Sequence, residues 1–89
     1  MVFKKDIMVQ DVKLQVRKDL SNHQQQSVIK LKGSLISRGY TQIIHIADQD
    51  DEFHINFFET AIDSKYEVQE FINAFIIKEN LEDTVTLFK

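Results

Sequence analysis

The chain has 89 residues and a net charge of −3, and 43% of its residues are hydrophobic. This length fits a single domain over residues 1–89, and the apolar fraction is typical of a folded globule. The sequence contains no cysteine, which excludes disulfides, thiol catalysis and thiolate metal sites. No apolar run reaches the roughly 20 residues that cross a bilayer, so we expect a cytoplasmic protein without a membrane partner.

Charge is unevenly distributed along the sequence. Residues 1–45 carry eight basic and three acidic side chains, a net charge of +5, whereas residues 46–89 carry three basic and eleven acidic ones, a net charge of −8. Such asymmetry can steer a charged partner, although two solvated faces that attract each other within the fold are the simpler interpretation. A hypothetical acidic patch in the second half comprises Asp48, Asp50, Asp51, Glu52, Glu59 and Asp63.

The N-terminal segment is predicted to form a strand with one buried face. Ile7 and Val9 have the opposite phase to the apolar residues that follow, which a β-bulge near Gln10 and Asp11 would reconcile. A helix is the rival interpretation. The strand pattern rests on Val12, Leu14 and Val16, and the helical stripe on Val9, Val12, Val16 and Leu20.

A helix is predicted from about residue 22 to residue 38. Ser21 and Gln24 have the spacing of a capping box, in which the two residues satisfy each other's free backbone N–H groups. Gly39 supplies the left-handed residue that commonly follows the last turn. Gly33 lies inside the helix, where glycine costs up to about 1 kcal/mol relative to alanine.

The segment IIHIADQDDEFHINFF, residues 43–58, is predicted to form a β-hairpin with a polar turn over residues 48–51. Pairing Ala47 with Glu52 places the alternating apolar residues of both strands on one face. The same register makes His45 and His54 direct cross-strand neighbours. The residues predicted to face inward are Ile44, Ile46, Phe53, Ile55 and Phe57.

A second helix is predicted over SKYEVQEFINAFIIKEN, residues 64–80. Ser64 and Glu67 have capping-box spacing, and Asn80 is a plausible C-terminal stop. A final strand is predicted within DTVTLFK, with Val85 and Leu87 on its inner side. The apolar stripe of the helix is formed by Val68, Phe71, Ile72, Phe75 and Ile76.

The predicted order is strand, helix, strand, strand, helix, strand. Two strand–helix–strand units of this kind interleave into a four-stranded antiparallel sheet with both helices on one face. The sequence therefore predicts an α+β, ferredoxin-like βαββαβ sandwich. This similarity is one of architecture and includes no particular family.

The sheet face opposite the helices is uncovered in this architecture. Large apolar side chains among polar ones on such a face are typical of a contact surface. The predicted interface residues are Ile43, His45, His54, Asn56, Phe58 and Phe88, with Lys13, Gln15, Thr84 and Thr86 beside them.

No stretch of the sequence has a catalytic signature, so we do not expect an enzyme or a bound cofactor. Nothing resembles a nucleophile elbow or a phosphate loop. The histidine pair lacks the four ligands of a structural zinc site, so we expect no metal. A pH response from repulsion between two charged imidazoles is an alternative role for the pair. A calcium loop starting at Asp48 fails because Phe53 occupies the position that requires glycine.

The sequence lacks the motifs of known protein families with this architecture. The RNA recognition motif stacks bases on the open sheet, but DEFHINFF lacks that family's basic and glycine positions, so we do not expect nucleic acid binding. Metal-chaperone domains need paired cysteines. Acylphosphatases and amino-acid-sensing domains need glycine in the loop after the first strand, where this chain has RKDLSNHQ.

The leading functional hypothesis is a non-catalytic protein–protein interaction or regulatory module that acts through its open sheet face or a free sheet edge, in the simplest case as a homodimer. One alternative is a small-molecule effector domain with a ligand at a dimer or helix–sheet junction near residues 21–24. A further alternative is a phage-type inhibitor whose acidic residues mimic nucleic acid.

Overall fold

The computed structural model describes residues 8–88, which form four strands and two helices. A single 3₁₀ turn, Ile62–Ser64, leads into the second helix. The elements are β1 (Val9–Arg17), α1 (Asn22–Ser37), β2 (His45–Asp48), β3 (Phe53–Ala61), α2 (Lys65–Lys78) and β4 (Val85–Phe88).

The four strands form one antiparallel sheet in the order β2-β3-β1-β4. The two longest strands, β1 and β3, are central, and the four-residue strands β2 and β4 form the edges. Both helices contribute buried side chains to one core on the same side of the sheet. The predicted ferredoxin-like α+β sandwich is confirmed.

The core lies between the two helices and the inner face of the sheet. Alternate residues of β1 point into it, since Val12, Leu14 and Val16 are each at most 4% exposed. Helix α1 contributes one stripe of side chains and α2 another. These stripes are Val28, Leu31 and Leu35 from α1, and Val68, Ile72, Phe75 and Ile76 from α2.

Three of the four predicted helix-end signals are confirmed. The Ser21 hydroxyl accepts from the Gln24 N–H at 3.1 Å, and the Gln24 carboxamide accepts from the Ser21 N–H at 2.9 Å. Gly39 and Asn80 both have left-handed φ angles, of 80° and 58°, and each ends a helix. The capping box predicted at Ser64 is wrong, because residues 62–64 already form a 3₁₀ turn and Ser64 has helical backbone angles instead of extended ones.

The bulge predicted near Gln10 and Asp11 is wrong, although the strand itself is confirmed. Strand β1 pairs with β3 residue by residue from Val9 to Arg17 without an insertion. Val9 consequently stays out of phase with the buried residues and is 44% exposed. Ile7, the other residue that motivated the bulge, lies outside the described residues.

The hairpin of β2 and β3 forms, but its predicted register is wrong by three residues. Asp48 pairs with His54 and Ala47 with Ile55, so five residues, 49–53, separate the last pair instead of the predicted four. The Asp50 carboxylate accepts from the backbone N–H groups of Glu52 and Phe53, at 2.8 and 3.0 Å. This side-chain cap lengthens the turn. Because the shift is odd, it sends the side chains of β3 to the face opposite the predicted one.

The two glycines of the chain should respond to alanine with opposite signs. A Cβ at Gly33 meets nothing within 4 Å, so Gly33→Ala should stabilise α1 by about 0.5–1 kcal/mol. Gly39 has φ +80°, so Gly39→Ala should destabilise the protein by about 1–2 kcal/mol. Urea unfolding of both variants measures these changes, and shifts of the same sign would contradict the assignment.

Tyr40, the residue after Gly39, anchors the segment between α1 and β2 through two hydrogen bonds. Its carbonyl accepts from the Thr60 hydroxyl at 2.9 Å, and its own hydroxyl donates to the Glu67 carboxylate at 2.7 Å. The hydrogen bond to Glu67 raises the pKa of Tyr40, with desolvation and the carboxylate charge acting in the same direction.

Replacing Glu67 with alanine should return the pKa of Tyr40 toward its ordinary value. Ultraviolet titration of tyrosinate in a Tyr66→Phe background isolates this group, because the chain has only two tyrosines. The contribution of the bond to stability is complete below the ordinary tyrosine pKa and is lost as pH rises through the raised pKa. An unchanged titration curve after Glu67→Ala would contradict this role for Glu67.

Candidate functional site

The orientation of β3 determines both candidate surfaces of this protein. Its pairing with β1 sets Phe58 beside Val12 and Asn56 beside Leu14, so these even-numbered residues face the helices. The odd-numbered residues occupy the uncovered side, which we call the open sheet face. On β3 these residues are Phe53, Ile55, Phe57, Glu59 and Ala61.

The structure divides the six predicted interface residues equally. Ile43 precedes β2 and is 62% exposed, His45 is exposed on the open sheet face, and Phe88 is 41% exposed on the same face. The open-face positions predicted for His54, Asn56 and Phe58 are wrong. These three residues face the helices, and Asn56 and Phe58 are only 3% and 1% exposed.

Inward placement is confirmed for Ile44, Val85 and Leu87, which contact the core. Ile46 lies on the predicted side, opposite Asn56, but it is 56% exposed on the edge strand β2. The predicted inward positions of Phe53, Ile55 and Phe57 are wrong, as is the open-face position of Thr84, which is 3% exposed.

The predicted histidine pair does not form. His45 lies opposite Phe57, and their rings stack with centroids 5.0 Å apart. His54 lies opposite Asp48, on the other face of the sheet. No group of three or more metal-ligating His, Asp or Glu side chains occurs among residues 8–88. The two imidazoles therefore have separate environments, and mutual repulsion between them cannot sense pH.

The predicted acidic patch is divided between two ends of the sheet. Asp50 is engaged in the turn, and Asp48 lies 3.2 Å from the Lys18 ammonium. Glu59 is six residues along β3 from Phe53, which is roughly 20 Å at 3.3 Å per residue. The described acids thus form no continuous row of the kind that would imitate a phosphate backbone.

Four rows run across the strands of the open sheet face, next to an end row formed by Val9 and Ala61. The first of the four is acidic, with Asp11 directly opposite Glu59. The next row alternates aromatic and basic groups, the third is apolar and polar, and the last pairs Phe53 with Arg17. The second row is His45, Phe57, Lys13 and Phe88, and the third is Ala47, Ile55, Gln15 and Thr86.

Polar contacts hold the side chains of this face in place. The Arg17 guanidinium lies 5.5 Å from the centroid of the Phe53 ring, and its Nε donates to the Asp83 carbonyl at 2.9 Å. Such a contact between a cation and a ring is favourable within about 6 Å. The Gln15 carboxamide donates to that of Gln49 at 3.1 Å, across the third row. The face is therefore ordered and carries both charged and aromatic groups.

A second candidate site lies on the other side of the sheet, between α1 and the helix-facing side of β2 and β3. We call it the α1–β3 cleft. It encloses about 330 Å³, close to the lower end of the range for small-molecule sites. Its lining is Val16, Arg17, Lys18, Leu20, Gln25, Val28, Ile29, Lys32, Ile46, His54 and Asn56.

Two polar groups of β3 lie buried in the α1–β3 cleft without hydrogen bonds. The Asn56 Oδ1 atom and the His54 Nδ1 atom are inaccessible and have no hydrogen-bond partner in the described part of the chain. His54 Nδ1 is 3.3 Å from a carboxylate oxygen of Asp48, within ion-pair distance, but the alignment is not that of a hydrogen bond. An unpartnered buried acceptor costs about 1–3 kcal/mol of folding free energy, so Asn56 lowers the stability of the fold.

Sequence reasoning missed the polar lining of the cleft because it assigned the polar residues of β3 to the open face. One usable signal was the mixed pattern of β3 itself, in which Phe57 and Phe58 are adjacent and either phase contains an aromatic residue. The clear apolar alternation in β1 shows which of its residues face the core. Which residues of β3 share that face depends on the register between β1 and β3.

No family model, curated protein or solved structure matches this chain. Neither helix of the described residues is long and apolar enough to cross a membrane. The function is therefore argued from the geometry of the two surfaces.

Replacing Asn56 with leucine should stabilise the protein. The change removes the buried unpartnered oxygen, and the adjacent cleft has room for the larger side chain. We expect a gain of about 1–3 kcal/mol, which raises the melting temperature by about 4–8 °C for each kcal/mol. Calorimetry measures both quantities. Asn56→Asp is the matched control and should destabilise, since it buries a charge. A loss of stability in Asn56→Leu would contradict the assignment.

Proposed function

We propose that this protein is a non-catalytic, cytoplasmic interaction module that associates with a second copy of itself through the open sheet face. The observation that carries the proposal is the arrangement of that face, which combines exposed aromatic side chains with charges of opposite sign at its two ends. A cytoplasmic location agrees with a chain that has no cysteine.

The apolar part of the open sheet face supports association. Phe53, Ile55 and Phe57 lie side by side along β3, each only half-buried, and Phe88 on β4 is 41% exposed. The pairing of β3 with β1 gives these large side chains no core role. Contiguous apolar groups rimmed by charges are typical of protein interfaces.

The charges of the face are complementary to those of a second copy turned around. A two-fold axis that lies between the two copies, parallel to the sheets and perpendicular to the strands, stacks the two faces with their strands reversed. The acidic row of one copy, Asp11 and Glu59, then lies over Arg17 of the other, twice in the dimer. The two central rows bring Phe57 of one copy over Ile55 of the other, which buries aromatic surface at the centre of the interface.

Repulsion within the acidic row also favours binding of a cationic group from a partner. Asp11 and Glu59 are directly opposite each other on neighbouring strands, and like charges in that position destabilise a sheet. A guanidinium placed over both carboxylates relieves the repulsion. Association of two copies in the reversed arrangement supplies this guanidinium from Arg17.

Charge reversal tests the arrangement. Arg17→Glu and Glu59→Arg should each weaken self-association by about tenfold or more, because each creates like-charge contacts at both ends of the dimer. Mixing the two variants should restore a dimer, since every position-17 side chain then faces an opposite charge at position 59. Light scattering and sedimentation of each variant and of the mixture measure the mass.

Lys78→Glu and Glu70→Arg are the matched controls, because they make the same charge changes on exposed positions of α2. Both should leave the mass unchanged. Phe57→Asp should give a folded monomer, with folding checked by circular dichroism. A wild-type chain that is monomeric at high concentration would overturn the proposal, and a mixture of the charge variants that stays monomeric would overturn the reversed arrangement.

A further inference from the structure

The α1–β3 cleft contains a group that the fold itself does not use. Asn56 lines the cleft and is 3% exposed, and its inaccessible Oδ1 atom has no hydrogen-bond partner among the described residues. A buried acceptor of this kind is satisfied when its carboxamide turns toward the cleft and meets a donor there. The donor must be an N–H or O–H group, because Oδ1 can only accept.

The charge of the cleft determines the charge of a ligand. Its charged lining among the described residues includes Lys18 and Lys32 and no carboxylate, although the chain as a whole has a net charge of −3. Arg17 also borders the cleft, but its guanidinium lies over the Phe53 ring on the open sheet face. The Lys18 ammonium lies 3.2 Å from a carboxylate oxygen of Asp48, which neutralises part of its charge. Lys32 projects from α1 on the same side as Val28, so its charge is available to an anion.

The walls of the cleft determine the shape of a ligand. Val28 and Ile29 of α1 form one wall, and Val16 and Ile46 of the sheet form the other. Ile29 and Ile46 are 59% and 56% exposed, so both walls present apolar surface to whatever enters. A slot of about 330 Å³ between two apolar walls fits a flat body the size of one or two fused rings.

We propose that the α1–β3 cleft binds a small organic anion with a flat apolar body that carries an N–H donor. The donor satisfies Asn56, the rings lie between the helix wall and the sheet wall, and the anionic end lies at Lys32. Purine nucleotides and indole carboxylates share this chemistry. The site is independent of the open sheet face, which lies on the other side of the sheet.

Titration of the isotope-labelled protein, followed by amide NMR shifts and by calorimetry, tests the proposal. Adenosine and guanosine monophosphates form one arm, and indole-3-acetate and tryptophan form the other. Saturable shifts at residues 54–56 and at Val28 in one arm support the proposal and identify the source of the anion. Absence of saturable shifts at these residues in both arms overturns it.

Variants assign the contacts of the bound anion. Asn56→Leu should lower the affinity by about tenfold or more, and its folding is checked independently by its melting temperature. Lys32→Ala should lower the affinity by several-fold, whereas Lys30→Ala should leave it unchanged. Lys30 is the matched control because it lies on the same helix but faces Glu79, 3.8 Å away. Binding that survives both Asn56→Leu and Lys32→Ala overturns the proposed site.

The monomeric Phe57→Asp variant separates this inference from self-association. It should bind the anion with unchanged affinity, because Phe57 does not line the cleft. A loss of binding in this variant, with its fold intact, would contradict the independence of the two sites.

Discussion

The pairing of β1 with β3 is the constraint on which the other features of this protein depend. Strand β1 has a clear apolar alternation, and its Val12, Leu14 and Val16 define the inner face of the sheet. Register then places Asn56 beside Leu14 and Phe58 beside Val12, in the middle of the molecule. A slip of one residue would exchange every inner and outer side chain of β3. That exchange would cover the aromatic side chains now on the open sheet face and remove the polar floor of the α1–β3 cleft.

The observed register conflicts with the local pattern of β3. It places His54, Asn56 and Thr60 on the core side and leaves Phe53, Ile55 and Phe57 half-buried on the open side. Only Thr60 has its polar group satisfied within the fold, through the Tyr40 carbonyl. Sequences that specify one structure normally agree with it at every level, and exceptions concentrate at functional sites. The inversion of β3 therefore points to two surfaces that favour function over stability.

The architecture was predictable because it depends on short sequence signals, such as helix caps and apolar periodicity, several of which indicate the same element. The Ser21–Gln24 capping box and Gly39 locate α1, and the order of elements then leaves few topologies. The candidate sites were less predictable because they depend on the length of one turn. Asp50 accepts two backbone N–H groups, which adds residues to the turn and shifts β3 by an odd number. In the segment FHINFF the more apolar phase is the one that faces away from the core, so periodicity alone selects the wrong face.

Strand β3 gives the two surfaces a common backbone. Asn56 faces the α1–β3 cleft, and its chain neighbours Ile55 and Phe57 face the open sheet. A ligand in the cleft that does not move β3 leaves the open sheet face unchanged. Coupling between two sites requires an element that has two conformations and whose equilibrium is shifted by both sites. The central position of β3, paired along its full length with β1, resists such movement. The edge strand β2 is held less firmly, because it has only four residues and all of them are exposed. Ile46 lines the cleft and His45 stacks on Phe57, so alternate residues of β2 contribute to the two surfaces.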